Sequence, residues 1–221
     1  MHSLVASASP VTNMHGLYLV ADRGLSATGP VQHFAQNESI FSEGEAAEVF
    51  LKVTSGMVRS YRLLDNGRRQ LDAFHAKGDV FGLEFGTEYN LSAEAVCDCT
   101  VVAYRLPKLE AQATIHDFLW QQLLSYMASA LVQAKEHKKL LASRSAIEKI
   151  AGFLIEQSRL HQNGGVVQLL MSRTDIADYL GLTVETVSRT FAALKLLQLI
   201  EFSTARDIEI INADGLHQLC R

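Results

Sequence analysis

Short apolar and β-branched runs alternate with glycine-containing turns between residues 31 and about 106. The stretch VFLKVTSGMVRSYRLL is interrupted at Ser55-Gly56, where we expect a hairpin-like break, and the Asp-Asn-Gly sequence at 65–67 is a strong turn signal. RRQLDAF predicts another strand, and AEAVCDCTVVAYRL predicts a final strand pair or a bent strand. Many short strands at this spacing predict a sandwich or jelly roll over residues 29–108.

Residues 109–142 contain no proline or glycine and predict one long helix. Their apolar positions recur at alternating three- and four-residue steps, the spacing of a heptad seam. The seam and its flank comprise Trp120, Leu123, Leu124, Met127, Ala130, Leu131, Ala134, His137 and Leu141. Such a helix spans roughly 50 Å. It can pack on its own domain alone, but its length and seam favour a coiled-coil contact between two copies.

The remaining residues, 145–221, combine helical segments with a small hairpin. Ser145 and Glu148 fit a capping box that opens a helix reaching about Leu160. VVQLL then predicts a short strand, two helices follow, and IEII predicts a strand after a polar break at 203–207. This order predicts a winged helix-turn-helix. Residues 1–28, rich in Ser, Ala and Gly, are expected to form a mobile arm.

Two consecutive helices are predicted within SRTDIADYLGLTVETVSRTFAALKLLQLI. Ser172 can cap the first helix, with Asp175 three residues further on. Gly181 suits the tight turn between the helices because glycine readily adopts a positive φ. Thr183 can then cap the second helix through its unpaired N–H groups.

The second helix has an apolar face and an opposite polar face. At about 100° per residue, its apolar residues fall on one side and Glu185, Ser188 and Arg189 on the other. In a recognition helix this strip meets base edges, where arginine donates to guanine O6 and N7 and glutamate accepts from cytosine N4. The flanking residues suited to DNA phosphates are Arg173, Thr174, Thr183 and Thr186. An ordinary solvated helix pair is the alternative interpretation.

Composition changes this picture little. The chain has 221 residues, 48% of them hydrophobic, and a net charge of −4, which neither indicates nor excludes a basic DNA-binding patch. No run approaches the roughly 20 apolar residues of a membrane span, and no secretory signal is evident, so we expect a cytoplasmic protein that does not enter membranes. Three cysteines, Cys97, Cys99 and Cys220, do not make a disulfide framework.

Taken in order, these parts resemble the CRP/FNR family, named after the cyclic-AMP receptor protein and the fumarate–nitrate reduction regulator. The resemblance extends from about Val31 through EGEAAEVFLKVTSGMVRSYRLLDNGRRQLDAFHAKGDVFGLE, the long helix and the C-terminal helices. It implies an α+β fold with a cyclic-nucleotide-binding-like β-roll, a long dimerisation helix and a C-terminal winged helix-turn-helix. A homodimeric transcription regulator is expected, not an enzyme.

The stretch V-E-T-V-S-R indicates which branch of the family the chain resembles. Cyclic-AMP receptors resemble one another in an Arg-Glu pair followed by Gly-Arg, whereas this chain has Val184 and Ser188 at two of those positions. The pattern is similar to that of the FNR and FixK branches. It implies that Glu185, Ser188 and Arg189 read TTGA-type half-sites in an inverted repeat. We expect the protein to be an activator that recruits RNA polymerase.

This chain lacks the residues with which members of the family bind a cyclic nucleotide or an iron–sulfur cluster. The family's nucleotide pocket needs Arg-Ser for the cyclic phosphate, yet the chain reads FGTEYNLSAEAV after Gly82-Leu83-Glu84, with Lys77 the only cation between Arg69 and Arg105. No cysteine precedes Cys97, so an N-terminal iron–sulfur cluster is excluded. We therefore expect no bound cofactor or metal, and a FixK-like regulator of microaerobic or anaerobic genes under an upstream oxygen-responsive system.

Three alternatives remain open on the sequence alone. One is a ligand-gated member of the same family, for example a haem or nitric-oxide sensor using one of the scattered histidines. A second is a cupin-type metalloenzyme, for which His33 and His75 are too isolated. The third is an interaction module that does not bind DNA.

Overall fold

The structure, a computed structural model, describes residues 29–84, 86–105, 116–143, 145–160, 166–204 and 206–220. The predicted arm, residues 1–28, lies outside these ranges. Within the helices, the side chains of residues 116–120, 122 and 160 also fall outside the description. Trp120, predicted to lie on the helix seam, is one of them.

The N-terminal half forms two antiparallel four-stranded sheets, so the predicted jelly roll is confirmed. One sheet has the order β1-β8-β3-β6 and the other the order β2-β7-β4-β5. The strands are β1 Val31–Phe34, β2 Ser39–Phe41, β3 Val49–Ser55, β4 Val58–Leu63, β5 Arg69–His75, β6 Val80–Phe81, β7 Ser92–Ala95 and β8 Cys99–Arg105.

One of the two predicted turns is a hairpin and the other is not. Residues 65–67 join β4 to β5, which pair from Val58↔His75 to Leu63↔Arg69. The hairpin expected at Ser55-Gly56 is wrong, because β3 and β4 belong to different sheets and the chain crosses between them there. Gly56 has φ +78° and lies directly against Cys99, so a side chain would not fit at this crossing. Likewise, β7 and β8 are not a strand pair but lie in different sheets.

The C-terminal half is a winged helix-turn-helix, as predicted. A three-stranded sheet with the order β10-β11-β9, which we call the wing, packs with its helices. The last helix, α5, was not predicted; Asn212 caps it by accepting a hydrogen bond from the Gly215 N–H at 2.8 Å. The elements are α1 His116–Ala142, α2 Ala146–Leu160, β9 Val166–Gln168, α3 Arg173–Leu180, α4 Val184–Leu196, β10 Ile200–Phe202, β11 Asp207–Ile210 and α5 Ala213–Leu219. In none of the ranges described is a helix long and apolar enough to cross a membrane.

The apolar stripe of α1 is divided between two environments. Leu123 is only 4% exposed and packs against Phe50, Val102 and Tyr104 of its own β-roll. The prediction that Leu123 lies in a contact between two copies is therefore wrong, because its side chain has almost no surface left for a second chain. The outward side carries Leu124 and Leu131, which are 60% and 57% exposed, together with Met127 and Ala134. The stripe is wide enough for one edge to pack internally while the other stays open.

The two halves of the chain share one hydrophobic core. Met57, Leu71 and Val96 of the β-roll belong to the same buried cluster as the helices and the wing of the C-terminal half. The sheet that contains β4 and β5 therefore packs directly on α3. Since α3 packs in turn on α4, the roll indirectly supports the second helix of the pair.

Candidate nucleic-acid interface

The first helix of the pair, α3, begins and ends as the sequence predicts. The Ser172 Oγ accepts a hydrogen bond from the Asp175 N–H at 3.1 Å, and Asp175 Oδ2 accepts from the Ser172 N–H at 3.0 Å. This reciprocal pair is a capping box. Gly181 ends the helix in the left-handed region with φ +63°, which glycine adopts without a steric penalty.

The second helix, α4, is fixed at its start and along its inner face. The Thr183 Oγ1 accepts a hydrogen bond from the Thr186 N–H at 3.2 Å, so the predicted cap is present. Val187, Phe191 and Leu194 are at most 2% exposed. Burying three large apolar side chains on one side determines which residues the helix presents to solvent.

The outer face of α4 carries Glu185, Ser188 and Arg189, all exposed. A hydrogen bond from its own backbone N–H, then one from the Thr183 hydroxyl and the charge of Arg189, hold the pKa of the Glu185 carboxyl below its usual range. The carboxylate is therefore ionised at the positive end of the helix. The strip offers one acceptor, one hydroxyl and one guanidinium, which together can pair with the edges of successive bases.

A groove beside this strip contains Arg173, the first residue of α3. It is lined by Ser188, Ala192 and Lys195 of α4 and by Phe202 of the wing. The Arg173 guanidinium carbon lies 3.7 Å from the centroid of the Phe191 ring, a cation–π contact. Burial lowers the pKa of Arg173, and its Nη1 is buried without a hydrogen-bond partner among the described residues. Arg173 is thus half-buried and stacked on Phe191, with its Nη1 donor enclosed and the rest of its side chain lining the groove.

The three threonines predicted to contact phosphates differ in their exposure and in the hydrogen bonds of their hydroxyl groups. Thr174 is exposed at the second position of α3. The Thr183 and Thr186 hydroxyls lie 3.0 Å apart, so they are engaged with each other as well as with the cap. On the far side of α4, Thr186 and Arg189 line a second groove together with Ile147 of α2. Five of the seven predicted DNA-contacting residues therefore lie in the first two turns of α4 or at its cap, whereas Arg173 and Thr174 lie at the start of α3.

Two features around this site are not predictable from the local sequence. Phe202 and Lys195 complete the groove around Arg173, although β10 had no local signal beyond a short apolar run. The second is an ion-pair cluster behind α3, formed by Arg59, Arg69 and Glu94 with Asp175 and Asp178. The arginines are more than 100 residues from the aspartates, as the separations of 106 and 109 for Arg69 show, so no local pattern could reveal it.

The interior of the β-roll contains three buried aromatic side chains among its aliphatic core residues. Phe41 and Tyr89 stack with ring centroids 3.8 Å apart, and Phe81 lies 6.0 Å from Phe41. Nearby, both Glu84 carboxylate oxygens accept hydrogen bonds from Asn90, at 3.3 Å from its N–H and 2.6 Å from its Nδ2. Within the part of the chain described, no group of three or more His, Cys, Asp or Glu residues is arranged to hold a metal ion.

Known proteins match both halves of the chain. Residues 148–219 match the family model of the Crp-like helix-turn-helix domain, and residues 31–116 match that of the cyclic nucleotide-binding domain. The nitrogen fixation regulation protein FixK of Rhizobium meliloti is 35% identical, over 87% of this chain and 89% of that protein. The transcriptional activatory protein AadR of Rhodopseudomonas palustris is 36% identical, over 87% and 90%. The solved structure of FixK2 from Bradyrhizobium japonicum is 42% identical, with a TM-score of 0.82 over 88% of this chain and 98% of that one.

Proposed function

The chain belongs to the CRP/FNR family of DNA-binding transcription regulators, in its FixK branch, and we propose that it recognises a TTGA-type inverted repeat as a homodimer. The observation that carries this proposal is the exposed strip of Glu185, Ser188 and Arg189 on α4. Three buried anchors fix the strip, and its V-E-T-V-S-R sequence is the one that resembles the FNR and FixK branches.

Base reading and phosphate contact are divided between different residues. Arg189 donates two hydrogen bonds to a guanine, Glu185 accepts from a cytosine amino group, and Ser188 contacts a neighbouring base. An acid that faces DNA is unfavourable unless it accepts a base hydrogen bond, so Glu185 adds more specificity than affinity. Arg173 and the threonines at positions 174, 183 and 186 contact phosphates and fix the register of the helix.

Two subunits pair through the outward side of α1. Leu124, Met127 and Leu131 form an exposed apolar strip there, with Ala134 and the partly buried Leu141 continuing the predicted seam. Pairing along α1 relates two copies of α4 by a two-fold axis. They then enter successive major grooves about 34–36 Å apart, as an inverted repeat requires.

The regulatory role proposed here follows the FixK branch. The protein activates genes for microaerobic or anaerobic growth by recruiting RNA polymerase, and it works in the cytoplasm under an upstream oxygen-responsive system. The names of its relatives support activation: AadR is a transcriptional activatory protein, and FnrA of Stutzerimonas stutzeri is a transcriptional activator protein.

The β-roll residues do not fit a cyclic nucleotide, so we propose that DNA binding needs none. An anionic cyclic phosphate would meet the Glu84 carboxylate, and the stacked rings of Phe41 and Tyr89 are buried nearby. A haem-gated regulator is the alternative. A Soret band in the absorbance spectrum of the purified protein, or a tighter DNA complex with added cyclic AMP, would overturn the ligand-free proposal.

A titration of labelled DNA tests the proposed function. The purified protein is added to a duplex with a TTGA inverted repeat, and in parallel to a duplex of the same composition with both half-sites scrambled. We expect a specific complex about 10³-fold tighter than the scrambled one, at the lower end of the range for specific sites. Equal affinity for both duplexes would contradict the proposed site.

A further inference from the structure

One buried carboxylate serves both the helix-turn-helix and the β-roll. Asp175 Oδ2 completes the α3 capping box, accepting hydrogen bonds from the Ser172 N–H and Oγ. Its Oδ1 faces the roll, 3.1 Å from Arg59 Nη1 and 3.2 Å from Arg69 Nη2. The start of the first DNA-binding helix is thereby tied directly to strands β4 and β5.

Both arginines bridge the domain boundary. Arg59 Nη2 lies 2.6 Å from Glu94 Oε1 on the neighbouring strand β7, and Arg69 Nη1 lies 3.6 Å from Glu94 Oε2. Arg69 also reaches Asp178, one turn along α3, at 3.3 Å. We call these five side chains the interdomain ion cluster; its members are Arg59, Arg69, Glu94, Asp175 and Asp178.

The centre of the interdomain ion cluster is shielded from water. The side chains of Arg59 and Asp175 are 5% and 3% exposed. A buried charge that loses its partner is strongly unfavourable, so sliding of α3 along the roll is opposed because it would separate these charges. Because a guanidinium group is planar and here has several carboxylate partners, it restricts the orientation of α3 on the roll as well as its distance from it. Apolar contact adjoins the cluster, with the Phe74 and Tyr179 rings 5.2 Å apart.

We propose that Arg59 and Arg69 are positioning residues for DNA binding, holding α3, and through it the recognition helix α4, at one fixed place on the β-roll. The inference rests on the proposed homodimer, in which two copies of α4 must match the spacing of two half-sites. A domain already held in place loses less conformational freedom on binding, so the cluster raises affinity without touching DNA.

The experiment compares full-length variants in two measurements. Arg69→Gln removes a partly exposed arginine that spans all three carboxylates, so it disturbs folding less than a change at Arg59 would. Asp178→Asn removes only the outer contact on α3. Arg62→Gln is the matched control, because Arg62 lies on β4 in an exposed pair with Glu43, within the roll. Hydrogen exchange of the amides in α3 is measured without DNA, and affinity is measured on the TTGA duplex.

We expect Arg69→Gln to speed exchange in α3 and to weaken DNA binding roughly tenfold, in the usual range of coupling between sites. Asp178→Asn has the same effects to a smaller extent, and Arg62→Gln leaves both unchanged. The preference for TTGA over scrambled DNA is retained, since the base-reading side chains are intact. Unaltered exchange in Arg69→Gln would overturn the proposal, as would faster exchange with unaltered affinity.

The exchange measurement needs no DNA, so its outcome is independent of the base-reading proposal. If the parent protein failed to prefer TTGA, the proposed site would be wrong. The positioning role would still be tested by exchange together with affinity for any duplex that the parent binds specifically.

Discussion

His137 on the long helix α1 stacks flat on Tyr179 of helix α3, with ring centroids 3.8 Å apart and an angle of 6° between the planes. Its Nε2 lies 2.8 Å from the Tyr179 carbonyl oxygen, so this nitrogen carries the proton and donates. The sequence places His137 on the helix seam, but the residue joins α1 to the DNA-binding domain of its own chain. This contact joins α1 to α3, the helix on which α4 packs.

Replacing His137 tests this connection. We expect His137→Ala to lower the free energy of unfolding by about 2 kcal/mol, since a stacked ring pair and a buried hydrogen bond are both lost. His137→Phe keeps the stack and loses about 1 kcal/mol. Urea denaturation measures both, with the neighbouring exposed residue Lys138→Ala as control. A loss for His137→Ala no larger than that of the control would contradict the contact.

Two adjacent leucines on α1 should behave differently. Leu123 is buried in its own chain, so Leu123→Ala should lower the free energy of unfolding by about 2–5 kcal/mol. Leu124 is 60% exposed, so Leu124→Glu should leave the fold stable while shifting the protein to monomers and weakening its DNA binding.

Sedimentation equilibrium measures this shift, and Leu63→Glu on the β-roll is the control because Leu63 is 59% exposed. If Leu124→Glu remained as dimeric as the Leu63 variant, the proposed subunit interface would be misplaced.

Glu156 on α2 makes stability depend on pH. Burial, and next the charge of Glu136, raise its pKa from 4.5 to about 7, with Arg159 opposing the shift. The folded state therefore holds a proton that the unfolded state has released, so this residue's contribution to stability falls as pH rises from 4.5 to about 7. Glu156→Gln removes that loss. It should be about 1–3 kcal/mol more stable than the parent near pH 8, and no more stable near pH 4.

Denaturation curves across this range check the prediction, with Glu209→Gln on the exposed side of β11 as control. A gain for Glu156→Gln that was the same at acid and alkaline pH would show that ionisation is not its cause.

Arg173 should act on affinity and not on sequence preference. It is stacked on Phe191 and its half-exposed side chain lines the groove beside α4, and we propose that it meets a phosphate there. Arg173→Gln should weaken binding to cognate and altered sites equally, and reduce the slope of log K against log salt by about 0.9. Fluorescence anisotropy over a salt series measures the slope. A variant with an unchanged slope but altered base preference would assign Arg173 to base reading instead.

Local patterns were enough to predict much of the fold. Strands, caps and the helix pair follow from interactions within a few residues, such as Ser172 with Asp175 or Thr183 with Thr186, and these are present. The sheet to which a strand belongs depends on contacts between residues that are far apart in the sequence. The glycine break at Gly56 predicts a turn equally well whether the next strand pairs with the last one or crosses to another sheet.

The candidate site was predictable where a single helix determines it. Burial of Val187 and Phe191 on one face leaves Glu185, Ser188 and Arg189 on the other. Contacts between distant parts of the chain were not predictable. The stripe of α1 does not say which edge packs internally, and nothing near Arg69 in sequence indicates its contact with Asp178.

The proposed reading of TTGA by α4 is tested most directly by pairing a protein variant with a base substitution. Affinities of the parent and of Arg189→Ala are measured on the TTGA repeat and on a repeat whose guanine is replaced by adenine in both half-sites. We expect the parent to lose about 1–3 kcal/mol per altered base pair, and Arg189→Ala to bind both duplexes equally and more weakly. If Arg189→Ala still rejected the altered half-sites as the parent does, the assignment of Arg189 to base reading would be contradicted.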